Sequence, residues 1–202
     1  MQQIKELQPH KKQKGFALLI TLIVVTALIS IGLSVLDLSV RQVRLASISS
    51  DSEIAFHAAN AGLECGSYLR REAVFAADEE AGNDISPECF EVSSSPSTVS
   101  STNVPLTGGS EGEAYLYEFD FTWGSPLRCS QIVMMVITAD VGGAGATTNN
   151  PVRNYIPGFP TNDPKTCSPG GRCAVIASRG FNKECADINT YGTVQREVLL
   201  QL

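Results

Sequence analysis

From Phe16 to Leu36 the chain runs for 21 residues without a charged side chain, and no later stretch is comparably apolar. At ~1.5 Å per helical residue such a run covers about 31 Å, enough to cross bilayer hydrocarbon, so it predicts a transmembrane helix over 16–36. The periodicity then changes without a break in helical character. Between Asp37 and Val74 there is no proline and only two glycines, Gly62 and Gly66. Leu38, Leu45, Ile48, Ala55, Ala58, Ala59, Gly62 and Leu69 recur at spacings that place one stripe on a helix, with Arg41, Arg44, Asp51, Glu53, Arg70 and Arg71 between them. An amphipathic continuation over 37–75 is predicted, giving one helix ~90 Å long from Phe16 to about Val74.

Residues 76–113 read as loop, first acidic and then rich in Ser, Thr and Gly, with no Lys or Arg from Val92 to Gly112. Period two returns at Ala114–Trp123. Tyr115, Tyr117, Phe119, Phe121 and Trp123 share one face, with Glu118 and Asp120 on the other. Such a row suits packing on the Ala-rich helix stripe better than a sugar-binding platform. Gln131–Ala139 is apolar on both faces and reads as a central strand, and Cys173–Arg179 and Thr193–Leu202 supply two more. The long turn-rich segment 141–172 separates the second strand from the third. The fold class is α+β: a long N-terminal membrane-spanning helix whose outer half packs on a roughly four-stranded antiparallel sheet, residues 114–202.

Charge orients the span. Residues 1–15 carry four lysines (Lys5, Lys11, Lys12, Lys14) against Glu6, leaving 11 basic and 20 acidic side chains in the other 187 residues. The basic leader predicts a cytoplasmic N-terminus, with everything after Leu36 outside. The acidic remainder disfavours nucleic-acid binding by bulk charge. A cleaved secretory signal fits poorly, because the apolar core exceeds ~7–15 residues and Asp37-Leu38-Ser39-Val40-Arg41 offers no small-x-small site.

All six cysteines, Cys65, Cys89, Cys129, Cys167, Cys173 and Cys185, follow the apolar run, as an oxidising compartment predicts. Fifteen pairings are possible for six cysteines, and spacing does not choose among them. The Cys167–Cys173 and Cys173–Cys185 intervals lack CxxC knuckles, so a disulfide closing the short Lys165–Arg172 loop is expected, and no metal site. Asn162, Asp163 and Asp187 could offer oxygens to calcium, but no Asp-x-Asp series supports it. His57, the one histidine beyond the leader, has no nucleophile at helical spacing, so neither an enzyme nor a cofactor is expected.

The junction Lys11-Lys12-Gln13-Lys14-Gly15-Phe16-Ala17-Leu18-Leu19 resembles the processing site of the type IV pilin and pseudopilin superfamily. The resemblance implies that a prepilin peptidase cuts between Gly15 and Phe16 and methylates Phe16. Ala55-Phe56-His57-Ala58-Ala59-Asn60-Ala61-Gly62-Leu63-Glu64 is similar to the small-residue stretch of minor pilins, which often carry an acid where Asn60 stands. The segment from Cys173 through Ser178-Arg179-Gly180-Phe181 to the strand around Arg196 resembles their C-terminal hairpin.

Counting from Phe16, the fifth residue is Ile20, where major pilins carry a glutamate. A tip or initiating subunit needs no such partner for a neighbour's terminal ammonium. The resemblance therefore implies a minor pilin-like structural subunit in a bacterial cell membrane, its head periplasmic or extracellular. Its partners would be other pilins through residues 16–50, the prepilin peptidase and an inner-membrane assembly platform. The alternative is a single-span anchored extracellular binding module that keeps its leader.

Overall fold

The computed structural model describes residues 14–78, 85–90, 92–93 and 99–202. The leader before Lys14 lies outside them, as do parts of the 76–113 tract. One helix, α1, runs Lys14–Asp78 and takes in both the predicted span and its amphipathic continuation. Two compact units divide the chain, Met1–Ile48 and Ser49–Leu202.

In the first unit the described chain is helix alone. In the second, a five-stranded antiparallel sheet follows the order β3-β4-β5-β8-β9. These strands are β3 (Thr102–Asn103), β4 (Gly112–Trp123), β5 (Arg128–Ala139), β8 (Arg172–Phe181) and β9 (Gln195–Gln201). Four of them match the predicted strands to within a few residues. The fifth, β3, is a two-residue edge that pairs Thr102 with Leu116 and Asn103 with Tyr115. Two small ribbons pair β1 (Glu88–Cys89) with β2 (Val92–Ser93), and β6 (Ala146–Thr147) with β7 (Thr166–Cys167).

The sheet is covered on both faces within the second unit. Tyr115, Tyr117, Phe119 and Phe121 of β4, with Ile132, Met134 and Val136 of β5, pack with Cys65, Leu69 and Ala73 of α1. On the other face, Met135 and Ile137 of β5 and Val175 of β8 pack with Val152, Ile156 and Phe159 from the 141–172 segment. This second layer is why β5 carries apolar residues on both faces. The segment is a cover for the sheet, pinned by the β6–β7 ribbon. The 76–113 tract is likewise more than a solvated loop: Ile85, Val99 and Val104 are fully buried. Ile85 and Val99 exchange backbone hydrogen bonds of 3.1 and 2.9 Å.

Candidate functional site

The first feature that calls for a partner is the surface of the first unit. An 18-residue window of its helix reaches a mean hydropathy of 2.7 with no part buried, making it long and apolar enough to cross a membrane. Leu18, Leu22, Val25, Leu28, Ile29 and Leu36 all stand exposed. Its hydroxyls are returned to the helix: Thr21 Oγ1 donates to the Leu18 carbonyl, Thr26 Oγ1 to Ile23, Ser34 Oγ to Ser30 and Ser39 Oγ to Val35, each at 2.9 Å. That back-bonding leaves these hydroxyls satisfied without water, as a medium lacking it would require. The first charges beyond the span, Asp37 and Arg41, pair at 3.0 Å.

Gly15 and Phe16 are the second and third residues of α1. There the backbone N–H groups lack intrahelical acceptors, so the turn unwinds at least cost. Phe16 is exposed, and so is the apolar side chain of Ile20 one turn on.

The second feature is the close docking of α1 on the sheet, inside the second unit. Ala55, Ala58, Ala59, Cys65, Leu69 and Ala73 are buried, whereas Phe56, His57 and Tyr68 face outward. A Cβ at Gly62 would lie 2.2 Å from Ser178 Oγ, and one at Gly66 would lie 2.9 Å from Ile176 Cγ2. From the sheet side, a Cβ at Gly180 would meet the Ala59 nitrogen at 2.0 Å and the Ala55 carbonyl at 2.2 Å. Ser130 Oγ donates to the Ala58 carbonyl at 2.7 Å and accepts from Trp123 Nε1 at 2.9 Å. Arg196 of β9 adds two bonds to Ser52 Oγ, at 2.8 and 2.6 Å. The small residues therefore serve helix-to-sheet approach. Gly180 and Ser130 were invisible as docking residues in the sequence, although Gly180 stands in the Ser-x-Gly-Phe motif.

The six cysteines form three disulfides: Cys65–Cys89, Cys129–Cys185 and Cys167–Cys173. The first ties β1 to α1, the second ties β5 to the turn after β8, and the third closes the expected short loop. Their sequence separations are 24, 56 and 6 residues. Loop-closure entropy then ranks their contributions at about 3.5, 4 and 2 kcal/mol respectively. Paired Cys→Ala replacements, each followed by chemical denaturation, are expected to give that order. Six free thiols in non-reduced mass analysis would contradict the pairing altogether.

Asp120, Cys129 and Cys185 bring three ligand-type atoms within 4.8 Å of one another. Both sulfurs are committed to one disulfide, so the trio offers a metal no thiolate. No such group includes Asp163 or Asp187 among the described residues. Burial pushes the Asp120 carboxyl above its ordinary range, partly offset by a hydrogen bond with Gln131.

The folded chain thus holds that proton at pH values where the unfolded chain has lost it, so stability falls as pH rises through the folded value. Relative to wild type, Asp120→Asn is expected to gain stability at neutral pH and to lose that gain towards about pH 4. Urea midpoints measured across that range check the sign.

His57 stands on the outer surface of α1, 3.7 Å from Glu53 with both side chains largely exposed. No family model, no curated protein and no solved structure matches the chain.

Proposed function

We propose that the chain is a minor subunit of a type IV pilus or related filament system, trimmed after Gly15 and assembled through helix packing of residues 16–50. The observation that carries this reading is the division of labour along one helix. Its first part is uncharged over 16–36 and uncovered, whereas its later part is small-residued and docked on an antiparallel sheet. A membrane anchor needs only the first of these. The basic leader ending in Lys14-Gly15-Phe16 supplies the junction at which a prepilin peptidase would act. Partners in this role are other pilins, that peptidase and an inner-membrane assembly platform. The head would act outside the cytoplasm, in assembly, priming or surface presentation.

Ile20 favours a second reading, a single-span anchored binding module that keeps its leader, because no carboxylate waits in the span for a neighbour's ammonium. A photoreactive residue in place of Leu28 separates the two. In its native membrane the filament subunit is expected to cross-link to helices of other pilin-type chains. Adducts to lipid alone would favour the anchor and sink the filament role.

A further inference from the structure

We propose that the cleft between α1 and the β1 turn, lined by Glu64, Cys65, Tyr68, Glu88, Cys89 and Phe90, receives an arginine side chain of a partner protein. The site stands independently of the filament role. Its volume is about 390 Å³, and among the described residues no basic side chain lines it. Tyr68 and Phe90 are 76% and 53% exposed, unusual for two rings that border one cleft. Glu64 and Glu88 are both exposed carboxylates. The pairing of two acids with two aromatic faces matches a guanidinium, which stacks on rings while its fork donates to carboxylate oxygens.

The cleft is also built rigidly. Phe90 adopts φ 56°, the left-handed region that a bulky residue enters only under constraint. Its neighbour Cys89 is bonded to Cys65 on α1, and its ring stacks on Trp123 at 6.1 Å and 26°. Trp123 already receives a guanidinium, with Arg128 Cζ 5.4 Å from the ring centroid. Phe90 therefore extends a row of rings of which one member already carries an arginine. Arg71, one turn beyond Tyr68 on α1 and exposed, lies outside the lining.

Trp123 is the one tryptophan in the chain, so its emission reports on the ring stacked over it. The full chain in neutral detergent micelles is titrated with N-acetyl-arginine amide, and in parallel with the uncharged N-acetyl-citrulline amide. A saturable change is expected for arginine, with a midpoint on the order of millimolar, and at least about tenfold weaker binding for citrulline. Glu64→Gln/Glu88→Gln and Tyr68→Ala are each expected to weaken arginine binding by about tenfold or more. If either variant melts below wild type, loss of the wild-type response at high salt serves as the charge test instead. Equal responses to arginine and citrulline would overturn the proposal. So would undiminished binding by the double variant, or a response to monosaccharides with none to arginine, which would make the cleft a carbohydrate site.

Discussion

Gly180→Ala is expected to destabilise the sheet-bearing unit by about 3 kcal/mol or more, at the upper end of what overpacking costs. The reason is what the new methyl would strike. At 2.0 and 2.2 Å the obstacles are the Ala59 nitrogen and the Ala55 carbonyl, backbone atoms of a helix that cannot swing aside as a side chain can. The helix must lift. Lifting it strains the Ser130–Ala58 hydrogen bond and opens the small-residue interface along Gly62 and Gly66. For a unit of this size the loss corresponds to a melting temperature lower by roughly 6–12 °C.

Gly108→Ala is the matched control, since nothing lies within 4 Å of its Cβ position. There the substitution is expected to be neutral or to stabilise by about 0.4–1 kcal/mol through the unfolded chain. Thermal melts of the two full-length variants, followed by Trp123 emission, decide the matter. Equal melting temperatures would show that α1 does not sit as close to β8 as drawn.

Gly15→Leu is expected to abolish removal of the leader. Under the proposed role, a peptidase must reach the carbonyl of residue 15 in the first turn of α1. Glycine leaves that carbonyl unshielded and keeps the turn easy to unwind. Leucine adds a side chain at the cut and favours the helix by about 1 kcal/mol. The accumulated variant should then be 15 residues longer than the wild type, visible as slower migration of the membrane-extracted chain. Gly15→Ala should be trimmed in part. Normal trimming of the leucine variant would remove Gly15 from the role assigned to it.

Much of the fold was legible because its signals are local. An uncharged apolar run, a helix without proline and a strand with alternating aromatics each specify an element from a few neighbouring residues. The two-sided hydrophobicity of Gln131–Ala139 also revealed the central strand. What covered its second face did not appear, because Val152, Ile156 and Phe159 are scattered among turn residues with no periodicity. The buried Ile85, Val99 and Val104 were hidden likewise in a Ser/Thr-rich background.

Docking residues were harder still. A glycine such as Gly180 looks the same whether it meets solvent or a helix backbone, since only the tertiary approach distinguishes the cases. The cleft at Tyr68 and Phe90 depends on a disulfide, Cys65–Cys89, which was one of many possible pairings. For the proposed filament role, the signal lay in the junction at Gly15-Phe16, the uncharged run behind it and the unbroken small-residue helix beyond.

N-terminal sequencing of the chain recovered from its native membrane therefore tests the central claim most directly. A subunit freed for helix packing should begin at a methylated Phe16. A chain that still begins at Met1, with Lys14-Gly15-Phe16 intact, would contradict it.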